Sequence, residues 1–166
     1  MDATRRGARA IALTMAIGAA VCAAPADAVL PQQQGAVQLL NQANLTINGA
    51  AANDEAGVTV AGAGDVNGDG RDDVIVGATQ ADANGMDSGA AYVLYGKATP
   101  TSVTLSNAAL PPADGFLIRG AAAGDYLGTA VAGAGDVYCD GRDDIIVVAD
   151  FAPIIGSFTG AAYVLY

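Results

Sequence analysis

Histidine is absent from the 166 residues, which removes His-based nucleophile triads, His acid/base pairs and His-dependent zinc sites. Positive charge is nearly as scarce: seven Lys and Arg stand against 17 Asp and Glu, a formal net charge of −10. Neutralising phosphates needs clustered Lys and Arg, so the composition excludes nucleic acid as a partner. Cysteine occurs only as Cys22 and Cys139. The one sustained apolar run, Ala10 to Ala24, has about 15 small residues and is short for a membrane span.

That run follows Arg5, Arg6 and Arg9 and is followed by Ala24-Pro25-Ala26 and Ala26-Asp27-Ala28. A basic start, an apolar centre and small residues at the exit form the three-part pattern of a secretory signal peptide over residues 1–28. An uncleaved anchor is the alternative. Lipid attachment through Cys22 is weaker, because Ala19-Ala20-Val21 lacks a large aliphatic residue at its start. Cleavage near residue 28 predicts a mature chain of about 138 residues with 15 acids and four bases. It carries no stable membrane span, and its destination is the medium, the periplasm or the cell surface. Cys22 would leave with the signal, so Cys139 has no intrachain partner and is either buried or open to intermolecular pairing.

What the chain does have is repetition. Asp65-Val66-Asn67-Gly68-Asp69-Gly70-Arg71-Asp72-Asp73 returns 71 residues later as Asp136-Val137-Tyr138-Cys139-Asp140-Gly141-Arg142-Asp143-Asp144. At the same offset Leu45-Thr46-Ile47-Asn48-Gly49 answers Phe116-Leu117-Ile118-Arg119-Gly120, and Ala90-Ala91-Tyr92-Val93-Leu94-Tyr95 answers 161–166 unchanged. A fixed offset means two copies of one supersecondary unit. The expected division is a linker or first outer strand over 29–44, repeat 1 over 45–115, and a truncated repeat 2 over 116–166.

Each acidic loop places carboxylates at positions 1, 5 and 9, with a side-chain oxygen at position 3 in the first copy only. Calcium takes six to eight oxygen ligands at about 2.3–2.6 Å, and alternate positions of a tightly turned loop can point several inward. The expected set in copy one is Asp65, Asn67, Asp69, the Arg71 carbonyl and Asp73, with water completing the shell. Without the ion the three carboxylates crowd one another, which raises their pKa values and destabilises the loop at neutral pH. In copy two the set is Asp136, Asp140, the Arg142 carbonyl and Asp144. Tyr138 there replaces an amide oxygen with a phenol, and Cys139 stands where Gly68 does, at a left-handed cost of roughly 1 kcal/mol. The second site is therefore weaker or empty. An EF-hand needs flanking helices and a Glu at position 12. Val76 and Val147 occupy that position, and both flanks read as strands. Asp72 and Asp143 are expected to point away from the ion as surface or capping groups, and Asp54, Glu55 and Asp125 to sit in exposed turns.

The short runs Val58–Ala61, Asp73–Gly77 and Ala91–Tyr95, and their copies Thr129–Ala132, Asp144–Val148 and Ala162–Tyr166, are rich in β-branched and aromatic residues and predict strands. Outer strands are expected from Val103-Thr104-Leu105 and Phe116-Leu117-Ile118. Such strands with Gly-rich turns make antiparallel sheets. The predicted fold is all-β: two blade-type antiparallel repeats of period 71 forming part of a β-propeller, an incomplete ring.

With these loops and strands the chain resembles the FG-GAP repeat family, the calcium-loop blades of the propeller in integrin alpha-subunit heads and in many exported bacterial proteins. The family's Phe-Gly element corresponds to Ala56-Gly57 and Leu127-Gly128, both without the Phe. Its Gly-Ala-Pro element corresponds to Gly77-Ala78-Thr79 and is largely lost in Val148-Ala149-Asp150. The resemblance implies a calcium-stabilised extracellular or surface module that binds a protein or glycan in adhesion and is not an enzyme. Self-association completing the propeller is a further expectation. The alternatives are a non-binding scaffold, or fragment of a larger propeller, and a part of a secreted hydrolase that uses the paired carboxylates.

Overall fold

The computed structural model describes residues 45–99, 101–153 and 159–166; the signal-like segment 1–28 and the linker 29–44 lie outside them. Nine strands and no helix occur among the described residues: β1 Ile47–Asn48, β2 Ala56–Gly64, β3 Asp73–Ala78, β4 Ala90–Leu94, β5 Val103–Thr104, β6 Gly115–Arg119, β7 Leu127–Gly135, β8 Asp144–Ala149 and β9 Ala161–Leu165. The six runs predicted as repeated strands fall on β2, β3 and β4 and on β7, β8 and β9.

Two antiparallel sheets result, one ordered β2-β3-β4-β6 and the other β7-β8-β9. They do not close into a ring. Phe116–Ile118 is an outer strand as expected, and it lies against β4 with Ala91 opposite Ile118 and Val93 opposite Phe116. Val103-Thr104 is not. It pairs in parallel with β1 as a separate two-stranded ribbon, held by Val103 N–H to the Thr46 carbonyl and Leu105 N–H to the Asn48 carbonyl, both 2.9 Å. The two-residue ribbon draws Leu105 and Leu110 over the first sheet, a cover that strand propensity alone does not specify. The repeat in sequence and the sheets in space are also out of phase, since β6 opens the second sequence copy and completes the first sheet.

The two long strands β2 and β7 share an irregularity. Their register slips between Ala56 and Thr59 and between Gly62 and Gly64 in one, and between Leu127 and Ala130 and between Gly133 and Gly135 in the other. The slips coincide with Gly57 and Gly64, and Gly128 and Gly135, whose φ values of 92°, 72°, 96° and 69° are open mainly to glycine. Gly64 and Gly135 turn the chain directly into the acidic loops.

Side-chain alternation divides the core. Ile75, Ala91 and Val93 of the first sheet pack with Ile145, Val147 and Ala149 of the second. Val76, Ala78, Tyr92 and Leu94 point the other way and are covered by Leu105 and Leu110. The centre of the first sheet, β3 and β4, is thus covered on both faces, while β2 at its edge leaves Val58 and Val60 exposed; β4 is apolar throughout. Between the units the backbones approach closely: Thr59 donates its hydroxyl to the Gly128 carbonyl at 2.7 Å, and a Cβ on Gly77 would fall on those same two groups.

Candidate metal centre

Gly64 ends β2 with positive φ and delivers Asp65 into the eight-residue turn to β3. Asp65 then organises the turn from within: Oδ1 accepts from Gly68 N at 2.8 Å and Asp69 N at 2.9 Å, and Oδ2 accepts from Gly70 N at 2.8 Å. Asn67 Oδ1 accepts from Asp69 N at 2.8 Å and Asp69 Oδ1 from Arg71 N at 3.0 Å. Each is a side chain bonding the backbone two residues on, the habit that favours Asx residues in turns. Asp73, fully buried at the start of β3, closes the loop by accepting from Val66 N at 3.0 Å and Gly96 N at 2.8 Å.

Asp73 sits in an environment that disfavours its charge. Burial raises its pKa above the usual carboxylate value; the hydrogen bonds from Gly96 and Val66 oppose that, and the negative charges of Asp69 and Asp65 add to it. Arg71 pairs with one of these acids, its guanidinium 3.6 Å from Asp69 Oδ2 with both side chains substantially exposed, a pair that contributes little. All the side-chain donors of the loop are oxygens. An oxygen-only donor set and mutually repelling carboxylates fit a hard divalent cation. As placed, however, the acids are turned onto backbone N–H groups, and among the described residues no three of them converge in metal-holding geometry.

Loop two keeps half of this framework. Asp136 accepts from Asp140 N and Gly141 N, both at 3.0 Å, Asp140 Oδ1 accepts from Arg142 N at 3.0 Å, and buried Asp144 accepts from Val137 N and Tyr138 N at 2.8 and 3.0 Å. The bonds that copy one makes through Asn67 and from Gly68 N have no counterpart. Cys139 is exposed and adopts φ 61°, as the substitution for Gly68 demands. Tyr138 turns outward and stacks on Tyr166 with centroids 4.4 Å apart and planes 10° from parallel, so the third position offers the loop no oxygen.

Several roles escaped the sequence. Asp54 and Asp125 are buried instead of exposed and cap their own turns, accepting from Ala51 N at 2.9 Å and Ala122 N at 2.7 Å. Asp54 also takes an amide proton from Asn107, whose Oδ1 in turn accepts from the Tyr92 hydroxyl at 2.5 Å. Asp72 is exposed as expected. Asp143 is not a plain surface group: its Oδ2 accepts from Asp65 N at 2.8 Å and its own N–H donates to the Asp65 carbonyl at 3.1 Å. The Gly before each loop marks a positive φ in both copies, and only at Gly64 does a neighbour also press close, since a Cβ on Gly135 would meet nothing within 4 Å.

Beside the loops, a groove of about 400 Å³ is lined by Asn67, Tyr95, Phe116, Arg142, Asp143 and Tyr166, among others. Residues 56–94, which run from β2 through the first acidic loop to the end of β4, match the FG-GAP repeat family. No curated protein matches the chain.

Proposed function

We propose that the FG-GAP repeat at residues 56–94, together with its copy, is a calcium-stabilised binding module of propeller type, exported through residues 1–28 to the medium, periplasm or cell surface. The observation that carries the reading is the first loop, where Asp65, Asn67, Asp69, the Arg71 carbonyl and Asp73 supply only oxygen and buried Asp73 is held against two other negative charges. A bound calcium ion would neutralise that repulsion and tie the β2–β3 turn to the start of β3. Asp136, Asp140, the Arg142 carbonyl and Asp144 are the corresponding groups of a weaker second site.

The partner is a protein or a glycan, and the groove beside the loops is where it would seat. Tyr95, Phe116 and Tyr166 offer aromatic faces there, and Arg142 a cation. These are the residue types that dominate recognition energies. The expected role is adhesion without catalysis. Calcium titration calorimetry tests the ion: one saturable site, lost in Asp69→Ala, is the expected result, and no heat from the folded chain would remove calcium from the reading.

A scaffold role within a larger propeller is the second reading. Its support is the outer face of the second sheet, where Val164 is 49% exposed while its copy Val93 is fully buried. Binding of a glycan or protein array to the isolated chain, weakened by Tyr95→Ala, would decide for the module over the scaffold.

A further inference from the structure

We infer that Asp143 of the second unit is a positioning residue for the cation loop of the first, so that filling loop one and docking the two units are linked. The inference rests on the calcium reading given above.

Asp65 occupies the first position of its loop, and its carboxylate accepts three of the loop's N–H groups. Where that carboxylate points depends on the backbone of Asp65, and Asp143 grips both ends of it. Asp143 Oδ2 takes the Asp65 N–H at 2.8 Å, and the Asp65 carbonyl takes the Asp143 N–H at 3.1 Å. The grip requires the preceding residue to have no side chain, since a Cβ on Gly64 would fall on the Asp143 carboxylate. Arg142 lies close by: a Cβ on Gly68 would stand 3.5 Å from its Nε, ordinary contact distance. Loop one is therefore shaped partly by its own sequence and partly by residue 143, which lies 71 places beyond Asp72.

Two physical consequences follow. An outer group that orients a ligand commonly changes metal affinity by about 10–100-fold when removed. Linkage is also reciprocal, so an ion that fixes Asp65 must strengthen the bonds between Asp65 and Asp143 by the same free energy. A purely structural clamp would stabilise the chain equally with and without the ion.

The full chain and calcium alone suffice for the test, by calorimetry on wild type, Asp69→Ala, Asp143→Ala and Asp143→Asn. Asp143→Ala is expected to raise the calcium Kd about tenfold or more, while Asp143→Asn, which keeps an acceptor for Asp65 N–H, recovers most of the loss. Wild-type affinity in a folded Asp143→Ala overturns the inference, as does an Asn variant no better than Ala, which would assign the effect to charge. Wild type taking up no calcium removes the calcium reading and the positioning role together, a pattern distinct from either. Should Asp143→Ala fail to fold, amide exchange on wild type decides: calcium is expected to slow exchange at Asp143 N–H about fivefold or more, and an unchanged rate sinks the inference.

Discussion

Ala90–Tyr95 and Ala161–Tyr166 are one hexapeptide in two settings. In the first, every residue from Ala90 to Leu94 is buried; in the second, intermediate and exposed residues alternate. The difference lies wholly in the neighbours. β4 has β6 hydrogen-bonded along one edge, the second sheet against Ala91 and Val93, and Leu105 and Leu110 over Tyr92. β9 has β8 along one edge and the first sheet against Ala161, Tyr163 and Leu165. Identical local propensity yields a two-faced core strand in one place and a one-faced strand in the other, because cover is a long-range property.

Truncating the two tyrosines should separate the settings most. Tyr92→Ala is expected to cost about 4 kcal/mol and Tyr163→Ala about half of that, read from denaturant unfolding. Equal losses would mean that the cover over Tyr92 contributes nothing. The valines give a smaller and cleaner contrast, since Val93 is 0% and Val164 49% exposed: Val93→Ala should cost about 2 kcal/mol and Val164→Ala within about 0.5 kcal/mol.

Alkali offers a third contrast. Burial, reinforced by the Asp54 carboxylate and opposed by Arg119, pushes the Tyr92 hydroxyl from 10.0 up to about 12. The folded state then holds this proton more tightly than the unfolded chain. Its contribution is intact below pH 10.0 and is lost as pH rises through about 12. Wild-type melting temperature should fall through that window, and Tyr92→Phe should flatten the fall.

The loops offer a smaller contrast than the strands. Cys139→Gly removes a side chain from a backbone at φ 61° and should stabilise the chain by up to about 1 kcal/mol in thermal or denaturant melts. A destabilising outcome would show that the Cys139 side chain contributes more to loop two than its backbone strain costs.

The repeated strands were legible because β-branched and aromatic runs recur at a fixed offset, and the acidic loops because Asx residues at alternate positions have few other uses. The role of β5 was not legible. Val103-Thr104 has ordinary strand propensity, and only the placement of Thr46 and Asn48 sends it into a parallel ribbon away from the sheet edge. Asp54 and Asp125 read as turn acids and are, but their burial comes from packing that no neighbouring residue announces. Asp143 was legible only as a carboxylate beside the loop's last acid. Its bond to Asp65 spans 78 residues and arises from how the two units meet.

The strand β6 carries one more consequence. At the 71-residue offset it answers β1, yet it hydrogen-bonds into the first sheet, so a repeat counted from residue 116 is not the stretch of chain that makes one sheet. Each inserted copy would finish its predecessor before starting a sheet of its own, as roof tiles overlap, and a seam placed at the repeat boundary falls inside a hydrogen-bonded ladder. A single copy cut out from residue 116 onward would leave the first sheet short of a strand and carry β6 away with the second.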